Sequence, residues 1–443
     1  MTLIPHRFPD ALARSDKFKV TANGVSLDVL THSAAEYASF ECAPGPVRIE
    51  ITLPSAPGKV FIRPLRLGIQ SEIEGNRLSF TVVGPQYLQI EIAGQPLLYL
   101  YAMPIAAEAP SGPHVKRFAG GKIHDVGQLI LKSGEVCWID AGAVVRGSIR
   151  AECASGVLIG GYGVLDGGIW PERGEARRKA IVFDFCTGCR VENILMLSPS
   201  SWMIVFGGSS DMAAGGVRQI ADSVSSDGVD IVGSHNIRVT GCMLHNGDDN
   251  IAIKAIFRNP GQGDRQAVPG HENEDWNGTV EDVVVSKCCF YNIHGGSAME
   301  IGYETSTDHI RNIRFEDIDV LAVHNFGSVF GIHTGDRAIV ENITWENIRV
   351  EHHYDKLVDF RVLWSRWNRD TERGTVRNVV LRNIRAVQIP PNVGYTLSVI
   401  AGYDAEHPVS GVLFENFELG GRHVTNADHL DLVMRHAHDL IFR

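Results

Sequence analysis

Apolar and polar residues alternate along most of this chain in short runs. Val47-Arg-Ile-Glu-Ile-Thr-Leu, Lys59-Val-Phe-Ile-Arg, Leu78-Ser-Phe-Thr-Val and Tyr87-Leu-Gln-Ile-Glu-Ile all place apolar residues at nearly every second position. A half-buried strand requires that period, because successive side chains point to opposite faces. Pro, Gly and Asn punctuate the runs at short intervals, so residues 1–103 predict a small β-sandwich. Residues 104–113, rich in Pro and Ala, read as a linker.

From residue 114 onward a repeat replaces simple alternation. Val191-Glu-Asn-Ile, Ile310-Arg-Asn-Ile, Val340-Glu-Asn-Ile, Val376-Arg-Asn-Val and Val409-Ser-Gly-Val are copies of one pattern, with Val280-Glu-Asp-Val a looser one. The later copies begin 30, 30, 36 and 33 residues apart, and short apolar runs such as Asn250-Ile-Ala-Ile-Lys and Ala298-Met-Glu-Ile-Gly follow some of them. One such coil cannot bury its apolar face alone, so coils must stack. Helical periodicity is absent. The consensus lacks the leucines of a leucine-rich repeat and the antiparallel turn signals of a propeller. The fold class is therefore all-β: a parallel β-helix over 114–443, with the recurrent Asn positioned for ladders of stacked amides, preceded by the sandwich.

Composition narrows the partners. There are 41 Lys and Arg against 52 Asp and Glu, a net charge of -11. That balance argues against nucleic acid or an anionic membrane surface and fits a neutral or polar ligand. The N-terminal stretch has no apolar core of a secretory signal, and no run is long enough to span a bilayer. Eight cysteines without framework spacing, two of them adjacent (Cys288 and Cys289), predict reduced thiols in a cytoplasmic protein. Cys186-Thr-Gly-Cys189 is a lone CxxC; a zinc site would need a second pair. No metal and no cofactor is expected, and a homo-oligomer is left open.

Candidate chemistry lies in two acidic segments, Ser225-Ser-Asp-Gly-Val-Asp-Ile and Gly247-Asp-Asp-Asn-Ile-Ala-Ile-Lys. Asp227 and Asp249 are 22 residues apart, about one coil, and each precedes the same apolar pattern by two positions. Stacked strands lie about 4.8 Å apart, so Asp227, Asp248 and Asp249 are expected to meet. Close like charges oppose joint ionisation and push one pKa up. Glycoside hydrolysis needs such a protonated carboxyl beside an ionised one. Taken alone, Gly-Asp-Asp is also an ordinary turn.

These two segments, at this separation, resemble glycoside hydrolase family 28, the polygalacturonases. The sandwich before a β-helix also resembles the dextranase and isopullulanase family 49. The resemblance implies a right-handed β-helix and an inverting hydrolase acting on an oligosaccharide substrate. It implies Asp248 as general acid, Asp227 and Asp249 holding the attacking water, and acid and base about 6.5–9.5 Å apart. Two departures stand out. Ser297 occupies the place of the family's Gly-His-Gly histidine, and Gly331-Ile-His333 the place of its carboxylate-gripping Arg-Ile-Lys. A galacturonate carboxylate would be poorly received, which points to a neutral glycan, or one contacted differently.

If Ile251 and Ile253 face the core, Lys254 faces outward, and in the same register so do Glu300, His333 and Arg361. These four, with Asp230 and Trp364, are the candidate substrate-binding residues; Trp367 shares the aromatic cluster Leu363-Trp-Ser-Arg-Trp. The bland reading of the charged four is a solvated face. A polar insertion over 256–278 is expected to overhang the cleft and favour exo action. Two other readings stay open: a uronate lyase or epimerase using Lys254 as base, and a non-catalytic carbohydrate-binding β-helix.

Overall fold

The structure is a computed structural model that describes residues 2–172, 176–257, 275–324, 326–387 and 398–443. Most of the predicted 256–278 insertion and its overhang lie outside the described residues.

Near the N-terminus two sheets share a core. One carries Leu3–Pro5, Glu36–Cys42, Leu98–Pro104, Gln86–Ile92 and Val60–Arg63 in that spatial order, with Val29–Thr31 beside Glu36–Cys42. The other runs Val25–Ser26, Lys19–Ala22, Pro46–Thr52, Arg77–Val83 and Glu72–Glu74. The pairing is antiparallel except between Glu36–Cys42 and Leu98–Pro104. The alternation seen at Val47 and Leu78 delivers Val47, Ile49, Ile51, Leu78, Phe80 and Val82 to one buried cluster with Phe40, Leu88, Ile90 and Leu100. By packing, the chain divides into two compact units, 1–125 with 136–146 and 160–165, and 126–135 with 147–159 and 166–443.

From Val115–Phe118 onward the strands form one continuous ladder, parallel almost throughout, in which each strand pairs with its equivalent on the next coil. This is the right-handed parallel β-helix. The repeat Val-x-Asn-Ile now has a physical explanation. In the strand Ile339–Val350, Val340 and Ile343 are both fully buried although two residues separate them. Strict alternation would send one of them outward. Asn342 lies at φ 58, and this left-handed step bends the strand so that both face inward. Asn tolerates that region better than other side chains do. Asn312, Asn347, Asn378, Asn383 and Asn416 take the same conformation. Their amides then bond from coil to coil, Asn342 to Asn312 at 3.2 Å, Asn383 to Asn347 at 3.0 Å and Asn416 to Asn383 at 2.8 Å. Inside, aromatic rings stack in the same way, with Phe315, Trp345 and Phe360 at centroid spacings of 5.6 and 5.5 Å.

One stack of strands positions the site: Ile204–Gly207, Val229–Val232, Ile251–Ala255, Met299–Thr305, Ser328–Thr334 and Lys356–Val362. Its core-facing rows are apolar, for example Ile231, Ile253, Ile301, Ile332 and Phe360 in register. One outward row reads Asp230, Ala252, Glu300, Gly331, Asp359. The next pairs Val232 with Lys254 and, beyond an irregularity after Ile253, Gly302 with His333 and Arg361. Glu300 thus belongs to a different outward row from Lys254, His333 and Arg361.

Candidate active site

A cleft of about 540 Å³ opens over these strands. At its centre Asp227 and Asp249 occupy equivalent positions at the heads of Val229–Val232 and Ile251–Ala255; the amide of Gly228 donates to the carbonyl of Asp249 at 2.8 Å. One carboxylate oxygen from each of Asp227, Asp248 and Asp249 lies within 4.8 Å of the other two. That is tighter than the ~6.5–9.5 Å expected between an inverting acid and base, and it replaces a facing pair with three carboxyl groups in one pocket. Such a trio could close round a cation, but the Lys254 ammonium already stands there. Its Nζ donates to Oδ2 of Asp227 at 2.8 Å and to Oδ1 of Asp230 at 2.9 Å.

The backbone holds the trio in place. Ser225 N–H donates to Oδ2 of Asp248 at 3.1 Å, and Ser297 N–H to Oδ1 of Asp249 at 2.5 Å. Ser297, in the place expected for a histidine, therefore acts through its amide, while its hydroxyl meets that of Ser328 at 3.0 Å. The Asn292 amide donates to the Asp248 carbonyl at 2.7 Å. Gly296, at φ +68, lies so close that a β-carbon would come 2.4 Å from Oδ1 of Asp248.

Burial, then the charge of Asp227, push Asp248 up to about 7. Asp249 is raised as well, by burial and by the charges of Asp248, Glu300 and Asp227. Burial alone would lower Lys254, but Asp227, Asp230 and Glu304 outweigh it and hold the ammonium charged. Burial raises Asp230 even against that ammonium. Trp202 lies alongside, 4.2 Å from Lys254 Nζ and 4.3 Å from Lys179 Nζ, a cation–π arrangement.

Farther along the floor a second network is closed. His333 Nδ1 lies 2.6 Å from Oε1 of Glu300, and its Nε2 3.2 Å from Oδ2 of Asp359. Arg361 donates to both Asp359 oxygens, at 2.7 and 2.6 Å. Tyr303 stacks on the imidazole at 4.5 Å between centroids. Burial would lower His333, but Glu300 and Asp359 outweigh it and raise it to about 9. At about 9 the imidazole is charged near neutrality even with Arg361 Nη2 3.2 Å from its Nε2, so the place that the sequence suggested had lost its positive charge carries one.

The structure brings together Asp227, Asp248, Asp249, Lys254, Glu300, His333 and Arg361 as lining of one cleft. Two expected substrate-binding residues are not among that lining. Asp230 is fully buried beneath Lys254 as its counter-ion. Trp364 is 69% exposed and lies outside the lining; Trp367, three residues on, lines the cleft instead. Sequence reasoning missed Arg177, Lys179, Trp202, Tyr303, Phe326 and Asp359. Asp359 was legible, two residues before Arg361 on the same strand and in line with Glu300. Arg177 and Lys179 precede the repeat stack in an Arg-Arg-Lys run with no pattern to aim them. Phe326 stands 73% exposed on the cleft rim and belongs to no strand.

Residues 139–429 match the family model of glycosyl hydrolases family 28. The chain belongs to that family. Among curated relatives it is similar to the "Probable exopolygalacturonase C" of Aspergillus terreus, 30% identical over 153 residues that make up 34% of this chain and 29% of the relative. A polygalacturonase of Arabidopsis thaliana, named as probable, is 27% identical over 183 residues, 38% of this chain and 40% of the relative. The matches thus span well under half the length of these curated relatives. Among solved structures, Dex49A from Penicillium minioluteum superposes with a TM-score of 0.67 at 14% identity, covering 97% of this chain and 96% of that one. A family 28 exopolygalacturonase of Yersinia enterocolitica gives 0.53 at 11% identity over 90% and 96%. At these identities the structural matches establish the shared β-helix fold.

Proposed function

We propose that this family 28 protein is an inverting glycoside hydrolase that removes terminal residues from short oligosaccharides. The observation that carries the hydrolase reading is the convergence of Asp227, Asp248 and Asp249 in an open cleft with Asp248 raised to about 7; the inverting course follows the family resemblance, since the carboxylates lie closer than a facing acid–base pair requires. A carboxyl of that pKa still holds its proton near neutrality and can give it to the leaving oxygen. Asp227 and Asp249, which both line the cleft, hold the attacking water. Lys254 fixes Asp227 and is itself held charged, so it cannot serve as the base of a lyase or epimerase. Exo action draws support from the similar fungal relatives, which are named as exopolygalacturonases.

A neutral sugar suits the floor best. Lys254 is spent on Asp227 and Asp230, Arg361 on Asp359, and His333 on Glu300 and Asp359. A uronate entering there would meet pairs already neutralised. The second reading, a galacturonate substrate, is favoured by Arg177, which lines the cleft and whose Nε is engaged with the Ser200 carbonyl at 2.6 Å.

The test is a panel of di- and trisaccharides of galacturonate, galactose, glucose and mannose, with proton NMR of the first-formed anomer. Inverted product from a neutral member is expected. Retention would make one of the carboxylates a nucleophile, and cleavage of galacturonates alone would replace the neutral reading with the second.

A further inference from the structure

The floor of the cleft carries a buried charge network to which the hydrolytic reading assigns no role. Glu300 is 1% exposed, and His333 and Asp359 are each 3% exposed. Burying an imidazolium between two carboxylates is costly unless the geometry compensates for it, and this site is shaped to hold it. Glu300 shares its outward row with Ala252 on one side and Gly331 on the other. A β-carbon on Gly331 would come 2.1 Å from Oε2 of Glu300. Small residues thus flank the carboxylate on both neighbouring coils and leave it a slot. Asp359 follows Gly331 in the same row and closes the imidazole from the far side, with Arg361 holding both its oxygens.

Resting on the hydrolase reading above, we propose that Glu300, His333 and Asp359 form a positioning clamp that sets the protonation of the catalytic carboxylates, with His333 as its fixed positive charge. Glu300 follows Ser297, whose amide binds Asp249, by three residues on the next coil, and both Glu300 and the trio line the cleft. Its charge is among those that raise Asp249. The imidazolium offsets that charge without leaving the floor. The groups facing the clamp are accounted for on every side. Asp249, on the preceding coil, feels the Glu300 charge. Tyr303 covers the imidazole from the Met299–Thr305 strand, and Asp359 and Arg361 close it from the Lys356–Val362 strand. Glu304 and Arg369, 3.6 Å apart, are the other charged pair at this end of the cleft.

The clamp makes two opposite demands. Without His333 the trio faces an uncompensated Glu300, and its apparent pKa must rise. Without Glu300 the trio loses a like charge, and its apparent pKa must fall. The probe is the full chain labelled with 13C-carboxyl aspartate and titrated by NMR, with Asp248 and Asp249 assigned from Asp248→Asn and Asp249→Asn. His333→Gln is expected to raise the Asp249 midpoint, where the Glu300 charge acts, by about one pH unit, and Glu300→Gln to lower it by a similar amount. The double variant returns it near the starting value. The alkaline limb of kcat/KM, measured on the panel member cleaved fastest, moves with the midpoints. Should His333→Gln fail to fold, the near-isosteric Glu300→Gln carries the test alone. Midpoints that stay in place in both variants overturn the clamp, because a merely structural role lowers turnover without moving the titration. Asp248→Asn separates the two ideas. If it abolishes turnover while the midpoints stay fixed, only the clamp falls; if it leaves turnover intact, the hydrolase reading falls and takes the clamp with it.

Discussion

Gly296 has no room for a methyl group, because the space where one would go is filled by the oxygens of Asp248 and Asp249. Its positive φ also penalises any L side chain there. Gly296→Ala is therefore expected to reduce turnover on the order of 10²-fold by displacing the trio, with the loss read in kcat rather than KM. The pKa of Asp248 gives two further outcomes. A general acid must keep its proton, so activity should fall as pH rises through about 7. The same shift bears on stability. A carboxyl raised from 3.8 to about 7 by folding stabilises the fold while protonated, and that contribution is lost as pH rises from about 4 through about 7. Asp248→Asn should therefore melt above the natural protein at pH 8 and match it more closely at pH 4, as differential scanning fluorimetry would show. His333 has the opposite charge type and the same slope. Raised from 6.5 to about 9, it stabilises the fold fully below about 6.5 and loses that effect through about 9. Lys254→Met leaves Asp227 and Asp230 buried without their counter-ion and should cost about 3–5 kcal/mol in urea unfolding.

At the scale of the element, the left-handed asparagines show how a repeat becomes a strand with a corner. Asn342→Gly keeps the conformation but loses the amide ladder, a cost of about 1 kcal/mol. Asn342→Ala loses the ladder and adds the strain of a positive φ, a further ~1–2 kcal/mol. The gap between the two variants, measured by denaturant unfolding, isolates the backbone contribution. The strand pattern was legible in Val-x-Asn-Ile because core packing repeats on every coil. The register between coils was not legible, since nothing in the local pattern marks it; Glu300 and His333 occupy different outward rows because Glu300 pairs with Gly331 and His333 with Gly302 in an unbroken ladder. The carboxylate trio could be read because equal offsets from equal strands must stack. Trp364 misled for the complementary reason: it lies beyond the last ladder residue of its strand, where alternation no longer dictates direction. Arg177 and Phe326 were invisible because loops aim side chains by tertiary contacts alone.

Over the whole molecule, two cores form from separate stretches of pattern. The sandwich buries Phe40, Ile49, Leu78 and Leu100 among themselves, while the solenoid buries the Phe315–Trp345–Phe360 stack. Calorimetry should resolve more than one transition, as multi-unit chains commonly do. Phe40→Ala and Trp345→Ala should each lower a different one, at a cost of about 3–5 kcal/mol apiece. If a single transition moves with both variants, the units are thermodynamically one.

The ladder's register has an evolutionary corollary. Because Asp230, Ala252, Glu300, Gly331 and Asp359 occupy one outward row while the rows beside them fill the interior, the row can be edited coil by coil without rebuilding the hydrophobic filling. Only Glu300 and Asp359 of that row reach the cleft, so substitution at those two positions can recast the charge of the floor while the interior rows keep their packing.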